Sequence, residues 1–331
     1  MGTAMPGLAG LSRLEPPAPM LGLAGLEAKP VSRMNAGSAV ESLAFSPNRQ
    51  MLIVGCADGT ARLWDITTST PAEKGFFRLD SAVRAAAFAT NSRMLVAGSA
   101  NGVVKVFDLS SGTLRDAGLL RGSKGSVDAV SFSPDGAMVA AGGADQILRL
   151  WETGKGFATD PRAQIPGHTQ PIRAIAFAAD GHSLATGSAD TTARIWALNR
   201  IRPGQQMSFP HGGEVATVAF APDGRTLVAA GREPAIWLWD ASAAKPTVRA
   251  RLDGHPAGTS LVQYSSDGET IVSANGNDVM NWSPRSGRLR ASWSLPPGAT
   301  TRVAVTADGR YLARGDAKGG IELFRVAEKR K

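Results

Sequence analysis

The 331-residue chain holds one cysteine, two tyrosines and four histidines, and nowhere strings together the roughly 18 apolar residues that a membrane span needs. A lone Cys56 excludes an internal disulfide and fits a reducing cytoplasm, so a cytoplasmic location is expected. Its neighbours Gly55 and Ala57 put it at a strand end, as a buried and inert thiol. Chemistry-bearing patterns are as scarce. There is no His-x-x-x-His, no paired cysteine and no serine with a histidine and an acid placed to activate it. Gly154-Lys155-Gly156 has no helix behind it to hold an anion. No catalytic residue, no metal and no cofactor are therefore expected. Helix-period stretches long enough for a second domain are also missing.

Basic charge is what the chain has in excess, with a net charge of +8 and a pI near 10.0, which draws a protein to polyanions or to acidic protein faces. The arginines are scattered, among them Arg62, Arg84, Arg149, Arg173, Arg194 and Arg302, and the compact cluster is Lys329-Arg330-Lys331. The aromatics recur at fixed positions instead of forming stacking platforms, so direct nucleic-acid binding is not expected.

The strongest positive feature is a repeat of 41 to 45 residues. Its anchors are Phe45, Phe88, Phe132, Phe177, Phe220, Tyr264 and Val305. Three positions after each stands Asn48, Asn91, Asp135, Asp180, Asp223, Asp267 or Asp308. Eighteen or nineteen positions after each stands Trp64, Phe107, Trp151, Trp196, Trp239, Trp282 or Phe324. Units this short bury a face only against copies of themselves. Five carry Asp-Gly after the anchor, a hairpin signal read as a type I′ turn. Asn48-Arg49 and Asn91-Ser92 lack the glycine, and a longer loop is expected there. A second turn follows at Asp58, Asn101, Asp145, Asp190, Glu233, Asn277 and Lys318, and apolar pairs such as Phe76-Phe77 and Leu119-Leu120 mark a fourth strand. Each unit thus supplies four antiparallel strands, and seven units make a ring.

Residues 38 to 326 resemble a WD40 β-propeller. The family's dipeptide stands at Trp64-Asp65 and Trp239-Asp240, with Phe107-Asp108 and Trp151-Glu152 close to it, and its Gly-His signature at Gly167-His168 and Gly254-His255. The resemblance implies an all-β fold: a seven-bladed β-propeller of four-stranded antiparallel blades, closed by an N-terminal strand in the last blade. It also implies a structural tetrad, which the fourth unit completes with His168, Ser188 or Thr186, Asp190 and Trp196. The last unit reaches its third strand at Ile321 to Phe324, and Val31 to Met34 lie about twelve positions before Phe45. This segment is therefore expected to supply the missing outer strand, with about four backbone bonds at roughly 0.5 to 1.5 kcal/mol each plus burial of Val31 and Met34. Domain boundaries follow: a flexible Pro/Gly/Leu-rich leader over 1–28, a single propeller over 29–326 and a basic tail over 327–331.

In propellers of this kind the start of each first strand faces the channel mouth. Four residues back from the anchors stand Glu41, Arg84, Asp128, Arg173, Ala216, Ser260 and Thr301, a charged half and a plain half. Two readings are open. Either this rim orients a partner, or Glu41 with Arg84 and Asp128 with Arg173 neutralise each other across neighbouring blades. The function expected from the resemblance is a non-enzymatic scaffold, monomeric by itself, that binds a protein or peptide bearing acidic groups on the propeller face and channel mouth. The alternative is a small-ligand or metal-binding enzyme that uses Glu41 and Asp128 as oxygen ligands.

Overall fold

A computed structural model describes residues 26–153, 159–198, 203–243 and 245–328. The leader up to position 25 and the Lys329-Arg330-Lys331 cluster lie outside the described residues. The described residues begin with β1 (Leu26–Asn35), and one sheet after another follows. Blade 1 is β2 (Val40–Phe45), β3 (Met51–Cys56), β4 (Thr60–Asp65) and β5 (Ala72–Arg78). Blade 2 is β6 (Val83–Phe88), β7 (Met94–Ser99), β8 (Val104–Asp108) and β9 (Arg115–Leu120). Blade 3 is β10 (Val127–Phe132), β11 (Met138–Gly143), β12 (Leu148–Glu152) and β13 (Ala163–Ile165). Blade 4 is β14 (Ile172–Phe177), β15 (Ser183–Ser188), β16 (Thr192–Ala197) and β17 (Gly204–Pro210). Blade 5 is β18 (Val215–Phe220), β19 (Thr226–Gly231), β20 (Ala235–Asp240) and β21 (Val248–Asp253). Blade 6 is β22 (Leu261–Tyr264), β23 (Ile271–Asn275), β24 (Asp278–Trp282) and β25 (Leu289–Ser294). Blade 7 takes β26 (Arg302–Val305), β27 (Tyr311–Gly315) and β28 (Gly320–Glu328), with β1 as its outer strand. All seven sheets are four-stranded and antiparallel, and no helix occurs among the described residues.

The first strand of every blade touches the first strand of both neighbours, from β2 round to β26 and back to β2, so these strands line the axis. The second strands, such as β3, β7, β11 and β15, are buried on both faces from their second residue on, which explains their unbroken apolar runs. The cores lie between blades. One cluster joins Val96 and Val106 of blade 2 to Val127, Val139 and Trp151 of blade 3. Another joins Ile53 and Leu63 of blade 1 to Val83, Leu95 and Phe107 of blade 2.

The clasp is longer than expected. β1 pairs with β28 from Leu26↔Glu328 to Asn35↔Gly320, so strand structure runs past both expected boundaries of the propeller. Met34 is buried at 8% exposure, but Val31 is 37% exposed, a correction to its expected burial. The cause is a register shift between Pro30 and Ser32, which takes Val31 out of the ladder.

The hairpin between first and second strands also differs from expectation. In blade 3 the Gly136 amide donates to the Ser133 carbonyl and the Ser133 amide to the Met138 carbonyl, a type I turn with glycine in the left-handed region, not a type I′ turn. The Asp135 carboxylate accepts from the Ala137 amide at 2.9 Å, which is why Asp or Asn recurs there. Blades 1 and 2 close the same turn with Arg49 (φ 62°) and Ser92 (φ 59°) in the glycine position, so the longer loops expected there do not form. Backbone strain of a size that a tight hairpin tolerates replaces the missing glycine.

Candidate functional site

Each of the first five blades carries a register shift at the start of its innermost strand: between Val40 and Ser42, Val83 and Ala85, Val127 and Ala129, Ile172 and Ala174, and Val215 and Thr217. The residues skipped by the ladder are Glu41, Arg84, Asp128, Arg173 and Ala216. A bulge releases its extra residue from pairing and re-aims its side chain. Blades 6 and 7 lack this shift, and there the Ser260 and Thr301 hydroxyls donate to the Ala274 and Gly315 carbonyls at 3.0 Å.

What holds the bulges in place is the residue before each one. Val40, Val83, Val127, Ile172 and Val215 are at most 1% exposed and plug into glycines of the preceding blade. A Cβ built on Gly315, Gly55, Gly98, Gly142 or Gly187 would meet the corresponding plug at 2.9 Å or less. Glycine there sets how closely consecutive blades approach and therefore where the mouth residues stand.

The structure joins the charged mouth residues into a chain across blades 2 to 5. Arg84 reaches Asp128 Oδ1 at 3.4 Å, and Asp128 Oδ2 accepts from Arg173 Nη1 at 2.8 Å. Arg173 Nε donates to Glu214 Oε1 at 2.7 Å, and Glu214 Oε2 pairs with Arg232 Nε at 3.0 Å. The expected pairing of Asp128 with Arg173 forms. Glu41 instead pairs with Arg302, at 3.2 Å from its Nη2, and not with Arg84. Both carboxylates proposed as oxygen ligands are thus committed to guanidinium groups, and no group of three or more metal-ligating side chains occurs among the described residues.

Outside the mouth, the loop histidines build structural chains. His168 Nδ1 lies 2.7 Å from Asp190 Oδ2, its Nε2 lies 2.6 Å from Thr186 Oγ1, and Trp196 Nε1 donates to that same hydroxyl at 2.8 Å. Indole is a donor only, so the Thr186 hydroxyl accepts from Trp196 and has its own proton available for His168 Nε2, which suits a neutral imidazole with its proton on Nδ1, facing Asp190. Burial depresses the imidazole's proton affinity, in keeping with this assignment. Burial acts to raise the Asp190 carboxyl, but hydrogen bonds from Thr192 and His168 outweigh it and hold the group below its usual value. Ser188 is not the tetrad hydroxyl. It lies one residue beyond the last β15 and β16 pair, donates to the Gln170 carbonyl at 3.0 Å and accepts from the Asp190 amide at 3.1 Å.

Two blades keep fragments of this arrangement. In blade 6, Ser273 Oγ lies 2.8 Å from both His255 Nε2 and Trp282 Nε1. In blade 5 Ala229 occupies the hydroxyl position, and His211 Nε2 and Trp239 Nε1 are both left buried without a partner among the described residues. Glu233, in place of aspartate, takes His211 Nδ1 at 3.0 Å and Trp237 Nε1 at 2.8 Å.

Two mouth residues were missed by counting from the anchors, Glu214 and Arg232. Glu214 sits two positions before Ala216, in the loop ahead of β18, and Arg232 lies in the turn after β19. Their signal in the sequence was opposite charge on the two loops that flank one hairpin. Compared with family models, residues 28–65, 76–108, 115–152, 159–197 and 204–240 match the WD domain, G-beta repeat. These stretches cover more than half of the chain, and each runs from the outer strand of one blade, or just before it, to the third strand of the next. No curated protein matches the chain.

Proposed function

This chain belongs to the WD40 repeat family, and from that premise we propose that it is a non-enzymatic interaction scaffold that binds a protein or peptide partner across the channel mouth. Propellers of this family are typically protein-interaction scaffolds and generally not enzymes. The observation that carries the reading to the mouth is the set of bulged residues, Glu41, Arg84, Asp128, Arg173 and Ala216, held on a rigid ring and released from backbone pairing. A partner with acidic groups fits best, because the chain is basic overall and the guanidinium groups at the mouth are more exposed than the carboxylates beneath them. The propeller acts as a single copy in this reading, and a cytoplasmic setting rests on the single buried Cys56.

Affinity purification with mass spectrometry tests the proposal, with the native chain beside Ser260→Trp, a steric block on the mouth that changes no charge. The partner is expected to be recovered with the native chain and lost with Ser260→Trp at an unchanged melting temperature. Recovery of the same partner on the blocked chain would move the interface elsewhere. Elemental analysis tests the enzymatic alternative, since stoichiometric metal lost in Glu41→Ala would favour it.

A further inference from the structure

Building on the interaction reading above, we propose that the partner is an acidic peptide segment, and that Arg84 and Arg232, at the two ends of the charge chain, are the groups that receive its carboxylates. The middle arginine is already occupied. Arg173 gives Nε to Glu214 and Nη1 to Asp128, at 2.7 and 2.8 Å. Among the described residues Arg84 makes a single long contact of 3.4 Å, and its side chain is 43% exposed. Arg232 makes one contact to the described residues, through Nε, and is 81% exposed. A guanidinium has five N–H donors, so each end arginine keeps most of its donors for a partner.

The acids work from below. Asp128 and Glu214 are 9% and 19% exposed, so they orient the arginines without meeting the partner themselves. With three guanidinium groups over two carboxylates, the arc bears a surplus positive charge, and the free donors lie at its ends. Holding those arginines in place lowers the side-chain entropy lost on binding, and a guanidinium edge matches a carboxylate two N–H groups at a time. The opposite side of the mouth offers little. Arg302 is closed onto Glu41 through both the backbone carbonyl and the carboxylate, and Ser260 and Thr301 are uncharged. A segment with two acidic side chains therefore lies across the arc from blade 2 to blade 5. Nucleic acid fits less well, because the arc alternates in sign and the exposed Phe76 stands on outer strand β5, away from the mouth.

The test is fluorescence anisotropy on the full chain at near-physiological salt, with a labelled ten-residue peptide of alternating Glu and Gly. Arg84→Ala and Arg232→Ala are each expected to weaken binding about tenfold, the scale of a charged hydrogen-bonded contact. Arg302→Ala, which removes the same charge from the far side of the mouth, is expected to stay within about twofold. The Gln variants of Arg84 and Arg232 repeat the comparison with the side-chain bulk retained. Equal losses for Arg302→Ala and the two end arginines would mean diffuse attraction and overturn the proposal. So would no binding of the acidic peptide, or tighter arginine-dependent binding of a labelled oligothymidylate. A captured partner indifferent to Arg84→Ala and Arg232→Ala, but lost with Ser260→Trp, would overturn this inference and leave the interaction reading standing.

Discussion

Thr186→Val removes one oxygen and keeps the side-chain shape, and its effect can be worked from the geometry of blade 4. The Thr186 hydroxyl accepts from Trp196 Nε1 at 2.8 Å and lies 2.6 Å from His168 Nε2. Thr186 is 0% exposed, so water does not reach the site from the surface. Valine leaves a donor and an acceptor buried without partners, each at about 1–3 kcal/mol, partly offset by the loss of a buried hydroxyl. A net cost of about 2–4 kcal/mol follows, or a melting temperature lower by about 3–7 °C for a domain of this size. Blade 5 supplies the reciprocal experiment, because Ala229 already leaves His211 Nε2 and Trp239 Nε1 without a partner among the described residues. Ala229→Ser should stabilise by about 1 kcal/mol. Differential scanning calorimetry reads both variants. If Thr186→Val melts with the native chain and Ala229→Ser lowers the midpoint, the hydroxyl bridge carries no energy and the reasoning fails.

Removing residues 1–36 strips β1 from β28 and exposes an edge strand, so solubility should drop and the thermal midpoint should fall by more than about 10 °C; an unchanged midpoint refutes the clasp. Stability should also decline on acidification. Burial lowers the proton affinity of His168 and His255 from the ordinary 6.5, so between that value and their depressed folded values the unfolded chain binds more protons, and stability falls as pH drops through the window. A melting temperature that stays flat from pH 7 to pH 5 would contradict buried neutral histidines. Gly187→Val drives a side chain into Val215, whose Cγ1 lies 2.7 Å from a Cβ at that glycine, and should cost about 1–3 kcal/mol in urea titration.

The fold was legible because its period is carried by large residues whose burial is obligatory: Trp151, Trp196, Trp282 and Phe324 are all at most 2% exposed. The clasp was legible for a deeper reason. Each matched stretch begins in or just before one blade's outer strand and ends in the next blade's third strand, and β1 stands to blade 1 as β5 stands to blade 2. Less visible were features set by register. Val31 leaves the ladder through an irregularity beside Pro30. The choice of Thr186 over Ser188 depends on where β16 stops pairing, and the two lie on the same face. The mouth was half legible. Spacing from the anchors found the bulged positions in blades 1 to 5, but Glu214 and Arg232 stand at two other repeat positions, where blades 1 to 4 carry small residues or proline, and their role emerges only when blade 4 is set against blade 5.

Hydrogen exchange on the complex recovered by affinity purification tests the central claim most directly. Partner binding should slow exchange in the loops and strand starts around the mouth, at 81–84, 124–128, 169–173, 211–216 and 231–233. Slowed exchange confined to the outer strands, with those segments unchanged, would contradict the mouth as the working surface of this protein.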